Sequence, residues 1–206
     1  MKTKPIIAID IDDVIAANAP AFIEFSNQRF GTHLTTDDYH ERWAELWKVD
    51  HEEAERRSSE FHESGHVYTY KVIPGAQEVL KDLKIRFKLV LITSRRLSIE
   101  KLTRSWIEKY YSEIFDDVVF AGFFDTPGKD RLKLTKASLA KNAEADFLID
   151  DQLKHVEAAA SIGIKGLLFG EYSWNKKEEL SLNVVRVRDW NEILEYFKKY
   201  EISKEY

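Results

Sequence analysis

The stretch "KPIIAIDIDDVIAANAP", Lys4 to Pro20, joins a short apolar run to a group of acidic residues. The run Ile6–Ile9 does not alternate with polar residues, which is typical of a strand covered on both faces. Asp10, Asp12 and Asp13 follow at once. We therefore expect a buried strand that carries carboxylates at its carboxyl end.

Similar apolar runs recur along the chain and are bounded by turn residues: Lys88–Ile92, Val118–Ala121, Phe147–Ile149, Gly166–Phe169 and Val184–Val187. Segments with helical spacing of apolar residues lie between them, at 74–85, 98–111, 153–163 and 189–200. From about residue 70 onward, strand and helix alternate. This order predicts an α/β fold with a doubly wound, Rossmann-like parallel sheet.

Residues 16–72 contain no convincing strand pattern and are rich in polar helix formers and aromatic residues. The simplest interpretation is a helical insertion after the first strand. We therefore predict a core domain formed by residues 1–15 and 73–206, with residues 16–72 as a small all-α cap.

Composition narrows the classes of function. The 206 residues include 31 basic and 36 acidic side chains, a net charge of −5, which argues against a nucleic-acid polymer as partner, although a local basic patch remains possible. The absence of cysteine excludes disulfides and thiolate metal sites. The N-terminal apolar run is too short for a signal sequence or membrane span, so we expect a cytoplasmic protein without a membrane partner. The oligomeric state does not follow from the sequence.

Three further motifs carry little weight. "HEEAE" at His51 has Glu55 where a zinc-protease helix needs a second histidine. "GFFDTPGKD", from Gly122, spaces its glycines too widely for a P-loop. His62 and His66 are four residues apart, but Ser64 and Gly65 between them are expected to end the helix.

Ligands of open α/β sheets bind outside the carboxyl ends of the strands. The residues that follow three of the predicted strands are acids, hydroxyls and cations: Asp10, Asp12 and Asp13; Thr93, Ser94, Arg95 and Arg96; Asp150 and Asp151. Lys133 and Lys136 come shortly before the fourth strand. Each residue alone has a simpler explanation, such as helix capping or a solvated helix face. Together they indicate a Mg²⁺ site with phosphate-binding donors around it, because clustered carboxylates repel without a cation and hard oxygen ligands favour Mg²⁺.

The ordered set "IAIDIDDVI", "LVLITSR", Lys136 and "FLIDDQ" resembles the four motifs of the haloacid dehalogenase (HAD) superfamily of phosphohydrolases. Lys136 precedes Asp150 by fourteen residues, and the insertion falls where that superfamily carries a C1-type cap. The stretches "FIEFSNQRFGTHLTTDDYHERW", "VIPGAQEVLKDLK" and "LLFGEYSWNK" are similar to the 5'(3')-deoxyribonucleotidase-like branch. The resemblance implies a Mg²⁺-dependent phosphomonoesterase that acts through an aspartyl-phosphate, with a nucleoside or deoxynucleoside monophosphate as its small phosphorylated substrate.

The resemblance also implies residue roles. Asp10 is expected to be the nucleophile and Asp12 the general acid and base; the i, i+2 spacing places two strand side chains on one face. Thr93 is expected to hydrogen-bond the phosphoryl group. Lys136 is expected to stabilise its charge, with Lys133 as the alternative.

The implied metal ligands are Asp10, the main-chain carbonyl of Asp12, and Asp151, with Asp150 in support; the choice of Asp151 over Asp150 rests on the family pattern alone. Around the substrate, Ser94, Arg95 and Arg96 are candidates to contact phosphate or sugar, with surface salt bridges as the alternative for the arginines. The insertion's aromatic residues are candidates to stack on a base or, equally, to pack the cap: Tyr39, Trp43, Trp47 and Phe61.

Two positions depart from the family pattern. Asp13 stands where many members have glycine, and we expect it to cap the following helix. Asn18 stands where better-known nucleotidases carry an aromatic residue that stacks on the base. The alternatives are therefore a phosphatase for another small metabolite, or a catalytically silent binding module on the same fold. A dehalogenase is disfavoured, because that chemistry does not need Asp12 as a proton donor.

Overall fold

The apolar runs of the sequence form the strands of a single sheet. The computed structural model describes residues 4–122, 135–176 and 179–202. Its strands are β1 (Ile6–Ile9), β2 (Lys88–Thr93), β3 (Asp117–Phe120), β4 (Phe147–Asp150), β5 (Lys165–Phe169) and β6 (Val184–Val187). Its α-helices are α1 (Asn18–Phe30), α2 (Trp43–Trp47), α3 (His51–Glu63), α4 (Ala76–Arg86), α5 (Glu100–Tyr111), α6 (Lys136–Asn142), α7 (Leu153–Ser161) and α8 (Trp190–Ile202).

The six strands pair in parallel in the order β3-β2-β1-β4-β5-β6. β1 lies at the centre, where Ile9 is opposite Leu91 of β2 on one side and Ile149 of β4 on the other. The order runs in opposite directions on the two sides of β1. The predicted doubly wound parallel sheet is therefore confirmed.

Helices cover both faces of the sheet, which explains why apolar residues do not alternate with polar ones along the central strands. Ile7 and Ile9 pack in one core with Leu80 of α4 and Phe197 of α8. Ala8, between them, packs in a second core with residues of α6 and α7. Alternate residues of one strand thus meet different helices.

The insertion after β1 is helical, as predicted, and comprises α1, α2, α3 and short 3-10 helices. Its two ends lie side by side, since Ala16 and Val72 form an antiparallel bridge and Ala17 N–H donates to the Lys71 carbonyl at 2.8 Å. The insertion therefore leaves and rejoins the core at one place, next to the carboxyl end of β1.

Within the described ranges, no helix is both long enough and apolar enough to cross a membrane.

Candidate active site

The carboxyl ends of β1, β2 and β4 meet in the middle of the sheet. The main-chain N–H of Asp10 donates to the Ile149 carbonyl at 2.9 Å, which extends the pairing of β1 with β4 by one residue. Thr93 ends β2 and Asp150 ends β4. The strand order reverses here, so the crevice has the position at which open α/β sheets bind ligands.

Three carboxylates and one ammonium group form the floor of this crevice. Asp10, Asp150 and Asp151 are 3%, 0% and 3% exposed, and each places an oxygen within 4.8 Å of the others. Lys136, the first residue of α6, is buried, and its Nζ lies 2.7 Å from Oδ2 of both Asp10 and Asp150. Among the described residues, the cluster therefore has three carboxylates but only one ammonium group to neutralise them.

The carboxylates differ in which oxygens are already hydrogen-bonded. Asp150 is fully engaged: Oδ2 accepts from Lys136, Oδ1 accepts from the N–H of Gln152 at 2.9 Å, and His155 Nδ1 lies 3.2 Å from both oxygens. In contrast, Oδ1 of Asp10 is buried and has no hydrogen-bond partner among the described residues. Orphaned buried oxygens are rare in folded proteins and call for an explanation such as a bound ion.

The pKa values follow from burial and from these partners. Burial raises the pKa of Asp10 to about 8, against the effect of Lys136 and with that of Asp150. Burial, followed by Asp150 and Asp10, raises the pKa of Asp151 well above its usual value. For Asp150, burial acts in the same direction, but Lys136 and His155 outweigh it and hold the pKa below its usual range. The donor set therefore fits a hard cation such as Mg²⁺, which would supply the countercharge that Asp10 and Asp151 lack.

Asp12 faces the cavity and is held by Arg95. Arg95 Nη2 donates to Asp12 Oδ1 at 2.7 Å, and Nε lies 3.1 Å from Oδ2. The guanidinium also donates to Thr103 Oγ1 at 3.1 Å and lies over the Tyr70 ring, 5.2 Å from its centroid. Arg95 is 6% exposed. Arg95 also lines the cavity, and its salt bridge is a buried one with Asp12 rather than one at the surface.

The hydroxyls after β2 have different surroundings. Thr93 is fully buried, and its Oγ1 accepts from the N–H of Arg95 at 3.2 Å. Ser94 Oγ is buried without a partner in the described chain, and Ser94 lines the cavity. Arg96 forms a salt bridge, which was the alternative to substrate contact. Its Nη2 donates to Glu55 Oε2 and to Ser58 Oγ of α3, each at 3.1 Å.

A cavity of about 310 Å³ lies between the helical insertion and the carboxyl ends of the strands. Its floor contains Asp10, Asp12, Asp13, Asp151 and Lys136, whereas Asp150 lies beneath them and does not line the cavity. Its walls come from both parts of the chain: Asn18, Tyr39, Glu41, Arg42, Trp43, Ala44, His51, Ala54, Glu55, Ser58, His62, Tyr70, Arg96, Ile99 and Gln152.

Of the four candidate aromatics of the insertion, Tyr39 and Trp43 line the cavity, whereas Trp47 and Phe61 do not. Trp47 and Phe61 are 5% and 1% exposed and pack against Phe22 of α1, with ring centroids 5.1 and 5.4 Å away. Trp43 does line the cavity, where its ring stacks on His62 at 5.7 Å. The structure therefore places Trp47 and Phe61 in the packing role that the helical spacing also allowed.

The two departures from the family pattern have clear structural surroundings. Asp13 has a φ of +57°, a left-handed conformation that glycine adopts most easily and aspartate tolerates. Its carboxylate accepts from the N–H of Ala19 in the first turn of α1, at 3.0 and 3.1 Å, which confirms the predicted cap. Asn18 lies between two tyrosines: it donates to Tyr39 Oη and accepts from Tyr70 Oη, both at 2.9 Å.

The structure also bears on Lys133, on the stretch that begins at Gly122 and on the paired histidines of the insertion. Lys133 lies outside the described residues, as does most of the stretch from Gly122 to Asp130, so Lys136 is the lysine whose position is known. α3 ends at Glu63, before Gly65 at φ +79°, as expected. In the part of the chain that the structure describes, no metal-binding cluster includes a histidine.

Two residues at the site were not singled out from the sequence. Tyr70 contacts both Arg95 and Asn18. Trp174, after β5, donates through Nε1 to Oδ2 of Asp151 at 2.6 Å. A signal existed for Trp174, because it follows the carboxyl end of a strand predicted to lie in the same sheet.

The sheet order, the insertion after β1 and the acidic crevice define a HAD-type hydrolase fold. Solved structures share it: the haloacid dehalogenase-like hydrolase SP0104 of Streptococcus pneumoniae has a TM-score of 0.70 at 13% identity, covering 96% of this chain and 100% of that one. YfnB of Bacillus subtilis, described as a HAD-hydrolase bound to magnesium, has a TM-score of 0.64 at 12% identity over 96% and 100% of the two chains.

The sequence resolves the class further. The model of the family described as "5' nucleotidase, deoxy (Pyrimidine), cytosolic type C protein" matches residues 4–200, and the chain belongs to that family. A protein of Halalkalibacterium halodurans named "Putative nucleotidase BH1399" is 24% identical over 193 residues, which cover 89% of this chain and 88% of that protein.

Proposed function

We propose that this protein is a Mg²⁺-dependent phosphomonoesterase that hydrolyses nucleoside monophosphates through an aspartyl-phosphate. One observation carries the proposal: the buried, unpartnered Oδ1 of Asp10 lies in an under-neutralised carboxylate cluster beside Lys136, at the floor of a cavity. Phosphoryl transfer needs a nucleophile and positive charge at one place, and its catalysis is mostly positioning and charge neutralisation.

In this mechanism Asp10 attacks phosphorus and displaces the leaving alkoxide, which takes a proton from Asp12. Water then attacks the aspartyl-phosphate, Asp12 accepts its proton, and inorganic phosphate and Asp10 are released. Lys136 is fixed 2.7 Å from Asp10 and stabilises the charge on the transferring group. The hydroxyls of Thr93 and Ser94 bind phosphoryl oxygens, and the unpartnered Ser94 Oγ is available for this without breaking a hydrogen bond.

Asp10, the main-chain carbonyl of Asp12, and Asp151 would hold the cation. Asp150 supports them by binding Lys136, since its own oxygens are already engaged by protein donors. When bound, Mg²⁺ supplies positive charge that offsets the repulsion between the Asp10 carboxylate and the phosphate. Arg95 keeps the Asp12 carboxylate at the cavity through their buried pair.

The cavity supports a small substrate. A volume of about 310 Å³ lies at the lower end of the range for small-molecule sites, roughly 300–1,000 Å³. A nucleotide is supported by the family to which the chain belongs. Residues 16–72 act as the cap, with Trp43 facing the leaving group and core residues 1–15 and 73–206 binding the phosphate. We also infer a cytoplasmic location, which the family's description supports, with neither nucleic-acid polymers nor membranes as partners.

A phosphatase for another small metabolite is the second candidate, and Asn18 favours it. Where better-known nucleotidases carry an aromatic base-stacking residue, the wall presents the amide of Asn18, held by Tyr39 and Tyr70. Such a wall suits a polar leaving group such as a sugar.

A panel of deoxynucleotides, ribonucleotides, sugar phosphates and p-nitrophenyl phosphate, assayed with Mg²⁺, tests both candidates. We expect hydrolysis with the highest kcat/KM on a nucleoside monophosphate. Asp10→Asn should lower kcat at least about 1000-fold, because removal of a nucleophile abolishes the covalent route. Asp37→Asn, an exposed aspartate on the insertion, is the matched control and should keep full activity.

Preference for a sugar phosphate would replace the nucleotide with the second candidate. No hydrolysis of any substrate by the wild type, or unchanged activity in Asp10→Asn, would instead favour a silent binding module.

A further inference from the structure

Asp151 is held differently from the other carboxylates of the cluster. Asp10 and Asp150 share the ammonium group of Lys136, and Asp12 is paired with Arg95. Asp151 forms no ion pair with any described residue. Its only side-chain donors there are neutral and both reach Oδ2: Gln152 Nε2 at 2.8 Å and Trp174 Nε1 at 2.6 Å.

Neutral donors on one oxygen have a specific consequence. They fix the rotation of the carboxylate, yet they leave its negative charge uncompensated. The other oxygen, Oδ1, receives no hydrogen bond from the described residues. Asp151 is thus oriented without being neutralised, which is the condition that a cation ligand requires.

The segment that carries Trp174, residues 170–176 and here called the β5 loop, is built to hold the indole in place. Trp174 stacks on Tyr172 at 4.5 Å with an interplanar angle of 7°. Tyr172 Oη in turn donates to the Asp13 carbonyl at 2.8 Å. Gly170 has a φ of +80°, and a Cβ there would lie 2.3 Å from the Tyr172 ring, so this turn needs glycine.

Asn175 ties the β5 loop to the end of β4. Its Nδ2 donates to the main-chain carbonyls of Asp151 and Phe169, each at 2.9 Å, and its Oδ1 accepts from the N–H of Tyr172 at 3.1 Å. Asn175 is 2% exposed, so these hydrogen bonds are buried. The loop therefore holds both the backbone of Asp151 and, through the indole, its side chain.

We propose that Trp174 is a positioning residue for the divalent cation: its indole N–H holds Oδ2 of Asp151 so that Oδ1 is presented to the ion. The inference rests on the proposed function, in that a cation binds at Asp10 and Asp151. Trp174 also contacts Tyr39 of the insertion edge-on, with ring centroids 5.1 Å apart, so the same indole joins the cation site to the cavity wall.

Trp174→Phe removes the N–H and keeps an aromatic ring to stack on Tyr172. We expect the Kd for Mg²⁺, measured by calorimetry without substrate, to rise about 10-fold or more, the range seen when a donor to a metal ligand is removed. The Mg²⁺ concentration for half-maximal activity should rise in parallel, while kcat at saturating Mg²⁺ stays within about threefold of the wild type.

Trp190→Phe is the matched control. It also removes an indole N–H from a buried oxygen, the Val14 carbonyl at 2.9 Å, but contacts no carboxylate of the cluster. It should lower the thermal stability and leave the Kd for Mg²⁺ unchanged. A merely structural role for Trp174 predicts the same behaviour in Trp174→Phe, and that result would overturn the inference.

A measurement on the wild-type protein tests the same proposal if Trp174→Phe does not fold. The chain has five tryptophans, so ¹⁵N-labelled wild-type protein has five indole N–H resonances. We expect Mg²⁺ alone to shift one of them strongly, because a cation on Asp151 weakens the hydrogen bond from Trp174. Binding by calorimetry without any indole shift contradicts the positioning role, whereas no Mg²⁺ binding and no hydrolysis by the wild type contradicts the proposed function as well.

Discussion

The carboxylates of this site differ in pKa because of their partners and not because of their burial. Asp10, Asp150 and Asp151 are all at most 3% exposed. Lys136 and His155 together outweigh burial and hold the pKa of Asp150 below its usual range, whereas the pKa values of Asp10 and Asp151 are raised. A pair of adjacent aspartates in the sequence therefore contains two chemically different groups.

His62 is a second residue whose titration depends on its surroundings. Its Nδ1 lies 2.7 Å from the Ser58 carbonyl, which can only accept, so Nδ1 carries the proton of the neutral ring. Burial, and then the nearby charge of Arg96, lower the pKa of His62 from 6.5 to about 4.

The sign of the resulting pH dependence follows by linkage. Between pH 6.5 and about 4 the unfolded chain binds a proton at His62 that the folded chain does not. The free energy of unfolding should therefore fall as the pH is lowered through this window. His62→Gln should flatten the slope in urea titrations, whereas His33→Gln, at an exposed position, should keep it. Equal slopes in wild type and His62→Gln would rule out this assignment.

At the scale of elements, the apolar runs predicted the strands closely. β1 and β6 have the predicted bounds, and the other four differ by one residue at one or both ends. Non-alternating apolar runs are a strong signal here because each strand is covered on two faces. The starts of the helices were predicted less closely: the helical spacing was assigned from residue 74, but α4 begins at Ala76, after Gly75 at φ +81°.

α3 illustrates how much one capping residue stabilises an element. Asp50 is its N-cap and accepts the N–H of Glu53 at 2.9 Å. Asp50→Ala should lower the free energy of unfolding by about 1 kcal/mol. Asp50→Asn retains an acceptor oxygen, so its free energy of unfolding should fall by only a few tenths of about 1 kcal/mol. Urea unfolding measures both values. If the two variants were equally destabilised, the loss would have to come from the charge rather than from the cap.

At the scale of the whole molecule, the insertion and the sheet enclose the cavity together. A cation at its floor binds the folded chain, in which the carboxylates are assembled, and should raise the melting temperature by mass action. At a Mg²⁺ concentration 100 times the Kd the gain is about 2.7 kcal/mol. For a chain of this size, this corresponds to roughly 5 to 10 °C.

Asp151→Asn separates this effect from general salt effects, since it removes one proposed ligand charge while keeping the shape of the side chain. Its melting temperature should respond much less to Mg²⁺ in differential scanning calorimetry. A wild-type protein that Mg²⁺ does not stabilise, or an equal shift in Asp151→Asn, would contradict a cation site at these residues.

The acids and hydroxyls were brought to one place by reasoning from strand ends, since parallel strands present their carboxyl ends at one edge of the sheet. Lys136 was assigned to the site by the family resemblance, with Lys133 as the alternative. The aromatic residues could not be sorted in this way. Trp43 and Trp47 are four residues apart on one short helix and share its apolar face, yet of the two only Trp43 lines the cavity. Which of them does so depends on how the insertion packs on Phe22.

The sequence by itself determined the strands, their parallel arrangement, the helical insertion and the line of acids at the sheet edge, because periodicity and strand ends are local properties. The tertiary structure alone decided the partners. Arg95 meets Asp12 across 83 positions, and Trp174 meets Asp151 across 23. Such contacts depend on the path of loops and the rotation of helices, which no local pattern records. They decide which carboxylate oxygens are left for a cation and a phosphate.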